Sequence, residues 1–242
     1  MTRSTRRITL VPGYVLHHRP WRDTSRILEV LTRTDGRFTL FARGVRGPAA
    51  RLAPVLRPFQ LLLLSWSGRG EAGQLTAAEP AQASAVLPAR SLMAAYYLNE
   101  LLIRLTTRHD PLPELFDHYH GTLESLRGGA PLERTLRLFE KQLLLVLGYG
   151  IDLAHEAHSG RPIDEGGYYH FRPGQGLVAA AHETRTALAG SSLLNLARDQ
   201  LSSARELADA RRLLGAALEA CLEGRPLVTR AVAKSLARRA LR

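Results

Sequence analysis

Ser25-Arg26-Ile27-Leu28-Glu29-Val30-Leu31-Thr32 and Arg37-Phe38-Thr39-Leu40-Phe41-Ala42, joined through Thr34-Asp35-Gly36, are the residues whose reading decides the fold class. Each run has strand length and is rich in β-branched and aromatic residues, and a glycine between them supplies the positive φ that a tight turn needs. Together they predict a β-hairpin. Side chains alternate along a strand, so Arg37, Thr39, Phe41 and Arg43 share one face while Phe38, Leu40 and Ala42 share the other. The second face reads as core, and the first interleaves cations with an aromatic ring.

Around this hairpin, short apolar or alternating runs are broken by Pro12-Gly13, Arg19-Pro20, Gly44 to Pro48, Arg57-Pro58 and Gly68 to Gly73. Phe59 to Trp66 reads as a further strand, and residues 1–80 together predict a small all-β barrel. After Glu79-Pro80 the hydrophobic period changes to that of helices. Ala94, Leu98, Leu101, Leu102 and Leu105 line one face of a helix over 91–105, and Asp110-Pro111 starts a second that ends at Gly128-Gly129. Pro131 opens a third, with Leu132, Leu136, Phe139, Leu143 and Leu147 in one stripe before Gly148. Two more fit 205–223 and 229–241, and Pro173-Gly174-Gln175-Gly176 between Tyr169, Phe171 and Val178 suggests a hairpin set into the helical part. The expected fold class is therefore α+β in two domains, a barrel over 1–80 and a mainly helical domain over 81–242 with an inserted loop and hairpin at about 151–182.

The chain has 242 residues, with 33 lysines and arginines against 22 acids, a net charge of +11 and a mean hydropathy of −0.12. Residues 1–80 carry 13 arginines against five acids, so +8 of that charge falls on the barrel. Such a balance favours polyanionic partners. Arg37, Phe41 and Arg43 combine guanidinium groups with a ring, the pairing by which single-stranded nucleic acid is held through phosphates and stacked bases. Arg43-Gly44-Val45-Arg46-Gly47-Pro48 with Arg51 forms a basic glycine-containing loop, and Arg19, Arg22 and Arg26 bracket Trp21. A second basic group, Arg230, Lys234, Arg238, Arg239 and Arg242, lies on or just past the last helix, where cations also favour the helix dipole. The alternative for Phe41 is packing beneath a loop, with the arginines merely solvated.

Other chemistries are poorly represented. The chain has two lysines, Lys141 and Lys234, and neither stands in a phosphate-binding glycine loop. No dinucleotide fingerprint, nucleophile elbow or His-Glu-x-x-His helix occurs. One cysteine, Cys221, permits no intrachain disulfide and no thiolate zinc cluster, and its apolar neighbours predict a buried thiol. His155, Glu156, His158, Asp164 and Glu165 form the main titratable cluster, which suits a metal-dependent nuclease only if its carboxylates converge on a divalent ion. The other alternative to a DNA-binding protein is a basic scaffold for protein partners. Apolar runs such as Leu143 to Leu147 fall far short of the ~18 residues that span a bilayer, and no signal core follows the basic N-terminus. A cytoplasmic protein without membrane contact is expected.

Several segments in order resemble the RecO family of bacterial DNA repair proteins. They are Tyr14 to Ser25 with His17-His18-Arg19-Pro20-Trp21, Thr32 to Gly36, Arg43-Gly44-Val45-Arg46, Leu56-Arg57-Pro58-Phe59, and Gly68-Arg69-Gly70-Glu71. Tyr97 to Leu102, Leu136-Arg137-Leu138-Phe139-Glu140, Leu147-Gly148-Tyr149-Gly150 and Gly224-Arg225-Pro226-Leu227 continue the match over nearly the whole length. The resemblance implies an OB-fold barrel, a helical domain and no enzymatic active site. It implies nucleoid-associated binding of single- and double-stranded DNA, annealing of complementary strands, and loading of the RecA recombinase onto strands coated by single-stranded-DNA-binding protein (SSB). RecR is the implied partner in this RecF pathway. Many relatives carry a four-cysteine zinc module where this chain has His155 to His182, so neither metal nor cofactor is expected here. The resemblance also implies docking of the acidic SSB tail on the helical domain, at Arg137 near Leu143 and Leu147, with Arg137 wet at the edge of the apolar stripe. An ion pair from Arg137 to Glu133 or Glu140 is the competing assignment.

Overall fold

In a computed structural model of the chain, residues 7–45, 52–68, 72–82 and 86–240 are described. Five strands, β1 (Arg7–Trp21), β2 (Ser25–Thr32), β3 (Gly36–Ala42), β4 (Leu62–Ser67) and β5 (Ala72–Pro80), close a barrel in the order β1-β2-β3-β5-β4. This is the strand order of an OB-type barrel. The expected β2–β3 hairpin forms, with Thr32 opposite Gly36 and Arg26 opposite Ala42. Gly36 takes φ +68°, and the carbonyl oxygen of Asp110 lies 2.2 Å from where a Cβ would stand, so both the turn and its neighbour require glycine.

β1 runs straight through Pro12-Gly13 and Arg19-Pro20, which the sequence pattern marks as breaks. Gly13 to Trp21 pair with β2, and Arg7 to Gly13 pair with β4 on the other side. Irregularities between Ile8 and Val11 and between Val15 and His17 bend the strand so that it serves two neighbours, the usual device for closing a barrel. β4, by contrast, starts three residues later than expected. Phe59 adopts φ +68° and its carbonyl oxygen accepts a hydrogen bond from the Arg127 guanidinium, which takes Pro58 to Gln60 out of the ladder. Val15, Leu28, Val30, Phe38, Leu40, Leu62, Leu64 and Trp66 fill the barrel, with the Phe38 and Trp66 ring centroids 5.0 Å apart. Each such side chain, fully buried, contributes about 1.5–3 kcal/mol.

The helices are α1 (Ala89–Leu105), α2 (Pro113–Arg127), α3 (Leu132–Val146), α4 (Gly190–Ala197), α5 (Ala204–Cys221) and α6 (Val228–Ala240), with β6 (Tyr168–Arg172), β7 (Gly176–Ala180) and β8 (Leu188–Ala189) forming a three-stranded sheet, β7-β6-β8. α4 and β8 are absent from the sequence reading, because Gly190-Ser191-Ser192 has turn composition and eight residues are too few for a clear period. Packing divides the described chain into two units. The first runs to Arg127 and includes the residues from Thr229 on; the second is Gly128–Val228. α1 and α2 thus pack with the barrel. Asn99 donates to the Leu16 carbonyl (2.7 Å) and accepts from the Tyr119 hydroxyl (2.5 Å), while Tyr14 bonds His120 Nδ1 (2.6 Å). Burial raises the Tyr14 and Tyr119 pKa values strongly, so both hydroxyls stay protonated. In the second unit, Ser203 and Glu206 form a capping box at the start of α5.

Candidate nucleic-acid interface

Cross-strand register places His17, Arg19 and Trp21 of β1 on the same face as Glu29 and Ile27 of β2 and as Thr39 and Phe41 of β3. Their alternates fill the core, so this face is the outside of the barrel. The structure splits it into two halves. At one half, His109 N–H donates to the Arg37 carbonyl and Arg37 forms a bridge with Arg108, so the segment after α1 lies along the start of β3. The Arg37 guanidinium is buried beneath that segment. It pairs with Glu29 and donates to the Thr106 hydroxyl (2.9 Å) and carbonyl (2.6 Å). Arg108, at 3.0 Å, and the Thr39 hydroxyl, at 3.2 Å, also bond the Glu29 carboxylate. Burial alone would raise the Glu29 pKa, yet the hydrogen bonds from Arg108 and Arg37 carry it below the usual carboxylate range. Arg37 is therefore removed from the expected exposed stripe, because a buried carboxylate on the adjacent strand claims its charge.

The other half stays open. Arg19, Trp21 and Arg43 are exposed, Phe41 is half-buried, and the Trp21 and Phe41 rings lie 6.3 Å apart, tilted by 57°. Arg22 is exposed in the β1–β2 turn with φ +52°. Arg26 sits opposite Pro20 and Ala42, on the face of Leu28 rather than that of Trp21, and is half-buried. It lies near His18, whose pKa is lowered first by burial and then by the Arg26 charge. Of the predicted interface residues, the structure brings Arg19 and Phe41 to one face, leaves Arg22 and Arg43 exposed in the segments that follow β1 and β3, turns Arg26 to the other face and buries Arg37. Arg46 and Arg51 lie outside the described residues. Arg238 and Arg239 lie on α6, and their side chains are likewise outside the description.

Sequence reasoning overlooked two residues of this face. Trp21 entered only as a neighbour of arginines, although a tryptophan followed by Arg22-Asp23 at a strand end was a usable signal. Glu29 carried no signal of its own, since its pair with Arg37 is buried by the segment after α1, whose Arg108 lies 79 positions away.

On α3, Arg137 is buried, not wet. Its Nη2 donates to Glu140 Oε1 at 2.8 Å, with side-chain exposures of 8% and 0%, so the competing ion pair is the one observed. Leu143 is fully buried and Leu147 half-buried. The charge expected at the edge of the stripe is thus met within α3, because Arg137 and Glu140 are spaced to pair within one turn.

The histidine-rich loop does not converge either. Asp152 accepts from the amides of Ala154 (2.8 Å) and His155 (3.1 Å) and from the His155 ring. Glu156 accepts from the amides of His158 (3.2 Å) and Ser159 (2.5 Å) and from the Ser159 hydroxyl. These bonds hold the Glu156 pKa at about 2. Among the described residues, no three His, Cys, Asp or Glu side chains could hold a metal ion together. A groove of about 630 Å³ runs between this loop, the β6–β7 hairpin and the end of α5, and Cys221 lines it half-buried, more open than the expected buried thiol.

An OB-type barrel with an open basic and aromatic half-face, followed by helices with a small inserted sheet, defines a class of two-domain proteins whose family comparison is decisive. Models described as Recombination protein O N terminal and Recombination protein O C terminal match residues 7–84 and 89–231. The chain is 42% identical to the DNA repair protein RecO of Nitrosococcus oceani, covering 96% of this chain and 95% of that one. RecO proteins of Methylococcus capsulatus (42%; 95% and 94% covered) and Coxiella burnetii (40%; 93% and 98% covered) are similarly close. The chain belongs to the RecO family of DNA repair proteins. No described helix is long and apolar enough to cross a membrane.

Proposed function

We propose that this chain acts without catalysis of its own, as a recombination mediator. It binds single- and double-stranded DNA through the barrel, anneals complementary strands, and with RecR helps load RecA onto SSB-coated DNA. The observation that carries the reading is the open half-face of the barrel, where exposed Arg19 shares a face with the Trp21–Phe41 pair and exposed Arg43 directly follows β3. Guanidinium groups follow phosphates there while rings meet bases. In this division of labour the barrel, about 1–80, meets DNA and the helical domain, about 81–242, meets proteins. The SSB tail remains a partner in the reading, but without assignment to Arg137, whose charge Glu140 already meets. The nuclease alternative, which needs the carboxylates of the His155 to Glu165 cluster to converge, lacks support: Glu156 and Asp164 accept from amides of their own loops, and among the described residues no three such side chains could hold a metal ion together. An annealing assay tests the proposal. Complementary strands coated with SSB should anneal faster with this protein than without it, and an unchanged rate, with and without RecR, refutes it.

A further inference from the structure

We infer that Trp21, with Phe41 behind it, is a base-stacking platform that makes this face of the barrel prefer unpaired strands over duplex. The inference rests on the proposed DNA-binding role and adds to it the residue that sets strand preference. Trp21 ends β1 and is 41% exposed, whereas the chain's other tryptophan, Trp66, is 6% exposed in the barrel core. An indole is costly to leave in water, and this one stands at a strand end, followed by the exposed Arg22–Thr24 turn. Phe41 reaches the same face two strands away, since Ile27 of β2 stands opposite both Arg19 and Phe41. Its ring centroid lies 6.3 Å from that of the indole, tilted by 57°, and the indole stays 41% exposed.

Charge complementarity names the occupant. Arg19 lies on β1, on the outer face with the rings, exposed Arg43 directly follows β3, and residues 1–80 carry a net +8. A polyanion bearing planar apolar groups satisfies both features at once, and a single strand is such a polymer. In a duplex the bases are already stacked and paired, so the rings gain nothing and only phosphate contacts remain. The stack therefore adds to single-strand binding alone.

With only two tryptophans, intrinsic fluorescence reads the platform directly. Oligo(dT), a duplex of equal length and an abasic phosphodiester oligomer are each titrated into the full-length chain. Oligo(dT) should quench emission, and the abasic oligomer should bind, as read by anisotropy of its own label, without quenching. Trp21→Ala should weaken oligo(dT) binding about fivefold to 150-fold, the range of one base–ring stack, while duplex affinity changes less than about twofold. Trp21→Phe should restore most of the loss. Trp66 emission reports whether each variant keeps its barrel, and the wild-type quenching contrast needs no variant. Equal quenching by duplex, equal losses on both forms in a folded Trp21→Ala chain, or no effect on either, overturns the platform while leaving DNA binding intact. Failure of the wild-type chain to bind any of the three polymers overturns the DNA-binding reading itself.

Discussion

Glu29 offers the sharpest test of how the barrel's outer face is held. Its side chain is 11% exposed and that of Arg37 10%, so Glu29→Ala leaves a guanidinium buried without its carboxylate. Breaking a buried pair from one side costs about 3–5 kcal/mol, because the remaining charge keeps its desolvation penalty and loses its attraction. Arg108 is 53% exposed, and its bond to the same carboxylate is worth about 0–1 kcal/mol. The expected order of destabilisation is therefore Glu29→Ala and Arg37→Ala far above Arg108→Ala. Glu29→Leu with Arg37→Met should recover most of the loss, since no charge then stays behind. Urea unfolding followed by Trp66 emission measures this, and a loss of 3–5 kcal/mol is a large part of the roughly 5–15 kcal/mol of an ordinary domain. The pH dependence follows from the same carboxylate. Its folded pKa lies below its unfolded value, so its contribution is complete above the unfolded carboxylate range and is lost as pH falls through the folded value. Arg37→Ala should also leave the slope of log K against log salt unchanged, whereas removing Arg19 and Arg43 should flatten it by about 0.7 per phosphate contact on a single strand. A Glu29→Ala cost below about 1 kcal/mol, or a flattened salt slope in Arg37→Ala, would refute the reasoning.

Ser203→Ala should destabilise the second unit by about 1 kcal/mol by removing the cap on the Glu206 amide, as thermal or urea unfolding can read. The Glu206 carboxyl, held at about 2 by the Ser202 and Ser203 amides, should contribute its part fully above the unfolded carboxylate range and lose it as pH drops toward 2. Gly36→Ala should cost more than Gly44→Ala in unfolding experiments: both glycines have positive φ, about 1–3 kcal/mol of strain for another residue, but only at Gly36 does a Cβ meet backbone. A chelator should leave the melting temperature unchanged, while Asp152→Ala should lower it, since that carboxylate and not a metal holds the 154–155 amides.

The hairpin at the centre of the barrel, the five long helices and the β6–β7 hairpin were legible in the sequence because their information is local. A period of two, a period of 3.6, a glycine where φ must be positive and a proline at a first turn each act over a few residues. The excess of positive charge over residues 1–80, and the absence of phosphate-loop and thiolate chemistry, are likewise properties of the chain alone. Tertiary structure decided where the local signals conflicted with closure. Pro12-Gly13 reads as a stop but lies inside β1, because a barrel needs one strand to bend from one neighbour to another. It also decided which arginines remain available. Alternation puts Arg37 and Arg43 on one face as equals, yet Arg37 is buried against Glu29 by a segment about 70 residues further on, while Arg43 stays exposed. Arg137 follows the same rule within one helical turn, where Glu140 and burial together take a charge that the pattern alone leaves at the surface. A period assigns a side chain to a face; only the packing of distant segments determines whether that face meets water, and that sets what a charge can bind.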